Sequence, residues 1–132
     1  MKVLLVDDSR AMRMVLKTSL RKAGFSHLEV VEAENGQDAE EKLGNFEPDV
    51  ILSDWNMPVM DGLQFLRSFR NRDQLTPFVF ITTEQTQSKR REAVEAGANK
   101  VVGTPFTPEK RAKEPSDPDE KARLQEEAEA KR

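Results

Sequence analysis

Three aspartates stand where this chain could do phosphorus chemistry. Asp7 and Asp8 follow directly on the apolar run Val3 to Val6, and Asp54 follows directly on Asp49 to Ser53. If both runs are neighbouring strands, three carboxylates converge at their ends. Such a cluster repels itself until a counter-ion joins it. A hard divalent cation fits that need, and Mg²⁺ favours one or two carboxylates together with waters and phosphate oxygens. The metal neutralises charge during an in-line phosphoryl transfer. A carboxylate such as Asp54 is itself a nucleophile that forms an acyl phosphate. Thr82 and Thr83 end a further apolar run, and a hydroxyl there can donate a hydrogen bond to a phosphoryl oxygen. Taken singly these features are ordinary: an acidic pair at a strand end is usually a solvated turn or a helix cap, and threonine is a common strand residue. The joint pattern carries the reading.

The elements that must position these residues alternate along the chain. Val3 to Val6 reads as a buried strand. Ser9 is a good N-cap for a helix whose apolar residues Met12, Val15, Leu16 and Leu20 recur at helical spacing before Gly24 stops it. Leu28 to Ala33 is a second strand, and Ala39 and Leu43 mark a short helix before Gly44. Asp49 to Ser53 is a third strand; Met60, Leu63, Leu66 and Phe69 mark a third helix. Phe78 to Ile81 is a fourth strand, rich in β-formers. Ser88 to Ala96 is a polar fourth helix closed by Gly97, and Val101 and Val102 form a short fifth strand. Repeated strand–helix alternation specifies an α/β doubly wound parallel sheet with right-handed crossovers. In such sheets function gathers at the carboxyl ends of the strands, near the point where strand order reverses. Asp7, Asp8 and Asp54 meet that condition.

The chain divides by composition into a globular part, 1–106, and a polar charged tail, 107–132. The tail holds seven Lys/Arg, eight Asp/Glu and one large aliphatic side chain, Leu124. Asp117-Pro118-Asp119-Glu120 resembles a helix start, so 118–131 is expected to be partly helical. The apolar stripe of a fifth helix that covers a sheet is lacking there. An uncovered sheet face favours association, so self-association through the strand-five and tail region is expected. A net charge of −3 argues against a nucleic-acid binder working by bulk electrostatics. With no cysteine there is no disulfide framework or thiolate chemistry. No apolar run approaches a membrane span, and the N-terminus turns acidic too early for a signal peptide. A cytoplasmic location is the expectation.

At this point the residues resemble a known family. Asp54-Trp55-Asn56-Met57-Pro58-Val59-Met60-Asp61-Gly62-Leu63 is similar to the phosphorylation-site segment of CheY-like response-regulator receiver domains. Val6-Asp7-Asp8-Ser9 matches the family's acidic pair, Ile81-Thr82-Thr83-Glu84 its strand-four switch region, and Gly97-Ala98 and Pro105-Phe106 the flanks of strand five. The resemblance covers roughly 1–108 and implies a flavodoxin-like sheet of order 2-1-3-4-5. It implies that Asp54 is the phospho-acceptor. Asp8, Asp54 and the backbone carbonyl of Asn56 would ligate Mg²⁺, with Asp7 acting mostly through water. Thr82, with Thr83 beside it, would supply the switch hydroxyl. Asn56 and Glu84 would flank the attacking water and tune dephosphorylation.

Two departures from the family pattern matter. The family carries a lysine just before the proline after strand five; here Thr104 takes that place and brings no charge. Lys100 lies toward the wrong end of that strand to replace it. The family's switch aromatic falls on Val101, which cannot swing in the same way. The fifth helix is atypical or displaced. The resemblance therefore implies a single-domain signalling protein, not an enzyme beyond self-catalysed phosphorylation and dephosphorylation. A histidine kinase or phosphotransfer protein would donate to Asp54, and the phosphorylated face would bind a downstream target protein, in a chemotaxis-type or relay role. Two alternatives remain open: a pseudo-receiver that binds partners with weak or no phosphorylation, and, remotely, a Mg²⁺-dependent aspartyl phosphatase.

Overall fold

A computed structural model describes residues 1–25, 27–83 and 86–103. The expectations for Glu84, Thr104 and the tail 107–132 lie outside the described residues. The elements follow the expected alternation: β1 (Lys2–Val6), α1 (Arg10–Lys22), β2 (Glu29–Ala33), α2 (Gly36–Leu43), β3 (Val50–Ser53), α3 (Gly62–Arg70), β4 (Phe78–Thr82), α4 (Gln87–Ala96) and β5 (Lys100–Gly103). The five strands form one parallel sheet in the order β2-β1-β3-β4-β5. Strand order therefore reverses between β1 and β3, the pair whose ends carry the aspartates.

Each helix begins where a side chain can take up an orphan backbone N–H. The Ser9 hydroxyl accepts from the amide of Met12 at 3.1 Å. Asn35 caps α2 and Thr86 caps α4. Asp61 and Gln64 form a reciprocal capping box on α3. This moves the start of α3 beyond Met60, which the apolar spacing assigns to the helix. Met60 lies in the preceding loop and packs its side chain on the core from there.

One sheet face is sealed. Leu4, Val6, Ile51, Phe78 and Phe80 pack with Phe65, Leu66 and Phe69 of α3 and with Ala39 and Ala93 of α2 and α4. Phe78 and Phe80 meet edge to face with ring centroids 5.1 Å apart, and Phe65 lies 5.6 Å from Phe78. The alternate residues of the strands point the other way. There Val3 and Leu5 are buried. Leu52, Val79, Ile81 and Val102, with Val15, Leu16 and Leu20 of α1, are half-buried.

Candidate functional site

The register brings the aspartates together. Val6 pairs with Ser53, so β1 and β3 end level with one another. The amide of Asp54 donates to the carbonyl of Val6 at 2.8 Å, and that of Asp7 to the carbonyl of Ala33 at 3.0 Å. Asp7, Asp8 and Asp54 each offer a carboxylate oxygen, all lying within 4.8 Å of one another. Asp7 is buried, Asp54 half-buried and Asp8 exposed, so the cluster opens outward past Asp8.

Electrostatics defines what this cluster calls for. Asp7 is pushed up to about 7, first by burial and then by the charges of Asp54 and Asp8. The amide of Ser9, which donates to Asp7 at 2.8 Å, and the charge of Arg13 only partly offset this. Burial and mutual repulsion therefore dominate the balance at Asp7. An oxygen-rich, anionic, partly open site of this kind suits a hard divalent cation, and the donor set fits Mg²⁺.

Around the cluster the chain is tightly tied. One carboxylate oxygen of Asp54 accepts from the amide of Trp55 at 2.7 Å, and the buried Ser53 hydroxyl donates to the Asp54 carbonyl at 2.8 Å. The amide of Gly62 donates to the carbonyl of Trp55 at 2.8 Å, drawing the start of α3 against the end of β3. The amide of Gly36 donates to the carbonyl of Met60 at 2.9 Å and ties the same loop to α2. A Cβ on Gly36 would meet the Met60 side chain at 2.7 Å. Arg13 reaches from α1 to the carbonyl of Asp7 and pairs with Glu32 at 2.9 Å.

The other expected residues divide. Asn56 is exposed just beyond Asp54, and Thr82 is buried at the end of β4, opposite Gly103 in β5. Thr83 is exposed and lies past the strand. Val101 is buried in β5 beside Phe80. Lys100 pairs with Val79 at the far end of that strand pair, away from Thr82. Ser53, Arg13 and Gly36 belong to the site or its supports and were not legible in the sequence. Only the lack of acid among the five cations of α1 hinted at Arg13.

A five-stranded doubly wound sheet with an acidic cluster at its switch point defines the class of CheY-like receivers. Comparison with known proteins agrees. Residues 3–114 match the response regulator receiver domain. The chain is 42% identical over 112 residues to chemotaxis protein CheY1 of Helicobacter pylori, covering 83% of this chain and 89% of that protein. It is 40% identical over 111 residues to chemotaxis protein CheY of Pseudomonas aeruginosa, covering 81% and 86%. The solved structure of chemotaxis response regulator CheY4 of Vibrio cholerae superposes with a TM-score of 0.70 at 38% identity, over 85% of this chain and 92% of that one. The chain belongs to the response regulator receiver domain family, the signalling domains of two-component systems. Among the described residues, no helix is long and apolar enough to cross a membrane.

Proposed function

We propose that Asp54 accepts a phosphoryl group from a phosphohistidine on a histidine kinase or phosphotransfer protein, with Mg²⁺ bound by the acidic cluster. The observation that carries this reading is the approach of three carboxylates to within 4.8 Å at the ends of β1 and β3. Asp8 and Asp54, with the backbone carbonyl of Asn56, would hold the metal, and Asp7 would act mainly through water. When bound, Mg²⁺ neutralises charge on the phosphoryl oxygens. An oxygen of Asp54 forms a bond to phosphorus as the phosphorus–nitrogen bond breaks, and the imidazole leaves with the electron pair. The Trp55 amide fixes the orientation of the Asp54 carboxylate by its hydrogen bond. Buried Thr82 stands at the end of the adjoining strand, where its hydroxyl would bind a phosphoryl oxygen. Asn56 and Glu84 would tune hydrolysis of the acyl phosphate.

The output would be binding of a downstream target protein, in a relay or chemotaxis-type role, by a receiver unit of 1–106 with 107–132 as an appended charged segment. A second reading, a pseudo-receiver that binds partners with little switching, is favoured by Thr104 in the lysine position and by Val101 in place of an aromatic. The deciding experiment is incubation with phosphoramidate in millimolar Mg²⁺. Acid-labile phosphate on the wild type and none on Asp54→Asn is the expected result. Label persisting on Asp54→Asn would sink the assignment, and an inert wild type would favour the pseudo-receiver.

A further inference from the structure

Glu32 stands in an apolar row. It pairs with Leu5 in the sheet register, and Leu5 is fully buried. Its neighbours Val31 and Ala33 pack on the sealed core, so Glu32 points the other way, toward α1. There its carboxylate is divided between two cations one helical turn apart. One oxygen takes Nε of Arg13 at 2.9 Å, and the other takes Nζ of Lys17 at 2.9 Å. Lys17 most strongly, then Arg13 against the opposing effect of burial, hold the Glu32 carboxyl below its ordinary range. The Lys42 ammonium also donates to the backbone carbonyl of Glu32. A side chain held at both oxygens and at its own carbonyl is a fixed anchor. Lys17 alone would balance the charge of Glu32, so Arg13 needs a further reason.

That reason lies at the other edge of its guanidinium. The Arg13 side chain is 14% exposed, and its Nη1 donates to the backbone carbonyl of Asp7. The Asp7 amide donates to the carbonyl of Ala33 at 3.0 Å. Both backbone groups of Asp7 are thus tied to β2, one directly and one through Arg13 and Glu32. The peptide that carries the Asp7 carbonyl leads into Asp8. Asp8 is exposed, so its carboxylate takes its direction from that peptide. A positive charge behind a cation site opposes the cation. The fork of Arg13, not its charge, therefore accounts for its place here. A planar guanidinium spans two acceptors, whereas an ammonium is a point charge.

We propose that Arg13, anchored by Glu32, is a positioning residue that fixes the peptide between Asp7 and Asp8 and so aims the Asp8 carboxylate into the metal site. The proposal rests on the reading of the acidic cluster as a Mg²⁺ site. Arg13 acts through the backbone of Asp7 and not on the metal itself.

The test joins Mg²⁺ titration by calorimetry to backbone amide order parameters of the metal-free protein. Arg13→Lys keeps the charge and loses the fork. Its Mg²⁺ dissociation constant should rise about tenfold, the low end for loss of a group that orients a metal ligand. Arg13→Gln also removes a charge that opposes the metal, so it should weaken binding no more than Arg13→Lys does. Glu32→Gln should weaken binding too. Adding it to Arg13→Lys should cost no more than about a further twofold, because the two residues act as one unit. Lys17→Gln leaves the fork in place and should bind Mg²⁺ within about twofold of the wild type. Without metal, the order parameter of the Asp8 amide should fall from about 0.85 toward about 0.6 in Arg13→Lys, with those of Val3 to Leu5 unchanged. Wild-type affinity in Arg13→Lys with tighter binding in Arg13→Gln would show that charge alone matters, and would overturn the proposal. So would a loss of order spread evenly along β1, the mark of a merely structural role. A wild type that binds no Mg²⁺ would instead overturn the reading of the cluster as a metal site. An unchanged Asp8 order parameter in Arg13→Lys overturns the proposal in either case.

Discussion

A Cβ added to Gly62 would lie 2.1 Å from the carbonyl oxygen of Asp54, well inside any permitted contact, and 2.8 Å from the ring of Phe80. The first residue of α3 is thus pressed onto the backbone of the central aspartate. The contact leaves room for glycine alone. Gly62→Ala must push α3 away from β3 or shift Asp54, and either movement opens the seam closed by the Gly62–Trp55 hydrogen bond. Overpacking of this kind costs about 1–3 kcal/mol or more. Urea denaturation should show that loss, and Mg²⁺ binding should weaken with it because the carboxylate moves.

Val59 is a β-branched residue with φ of +70° in the loop after β3. The amide of Met60 donates to the carbonyl of Pro58 at 2.7 Å across it, the three-residue bond of a γ-turn. Its side chain is 75% exposed and gains little from packing. A non-glycine residue held in this region costs about 1–3 kcal/mol. Asparagine tolerates positive φ better, so Val59→Asn should stabilise the protein by about 1 kcal/mol. A lower thermal midpoint would show that the turn is not strained.

The raised Asp7 predicts a pH dependence with a definite sign. A carboxyl whose pKa is higher in the folded than in the unfolded chain binds its proton more tightly when folded. Without metal, Asp7 therefore favours the folded state at low pH, and that contribution is lost as pH rises from about 4 to about 7. The loss is at most about 4 kcal/mol. Asp7→Asn should flatten stability across this window in metal-free buffer. Mg²⁺ binding requires the ionised carboxylate, so wild-type affinity should strengthen as pH rises through about 7. Titrations at several pH values check both.

Thr104→Lys restores a positive charge at the position where the family carries one. Charge-assisted hydrogen bonds to phosphoryl oxygens are roughly twice as strong as neutral ones. The variant should couple occupancy of Asp54 more tightly to the β4–α4–β5 surface. Amide hydrogen exchange with and without beryllofluoride measures this coupling. Unchanged exchange and unchanged acyl-phosphate lifetime would show that Thr104 does not stand in that role.

Much of this fold is legible in residue type and spacing. Apolar runs bounded by acid locate β1 and β3, because a parallel strand buried on both faces cannot alternate. The cap at Ser9 and the stops at Gly24 and Gly97 bound helices, because those backbone positions admit few residues. Met60 is the exception: its apolar side chain and helical spacing assign it to α3, yet it lies in the loop before. Periodicity cannot distinguish a helical residue from a loop residue whose side chain reaches the same core.

The sequence by itself determined the alternation of strands and helices, the acidic ends of two strands and the segment around Asp54. These are local facts of residue type and spacing. Tertiary structure decided what those facts do together. Register set Val6 against Ser53, and only then did Asp7, Asp8 and Asp54 come within 4.8 Å. Burial, a property of the surroundings, raised Asp7. Packing across 34 positions of sequence seated Lys89 on Trp55. No local pattern encodes that contact, because the two side chains meet only when β3 and α4 are held by the same sheet.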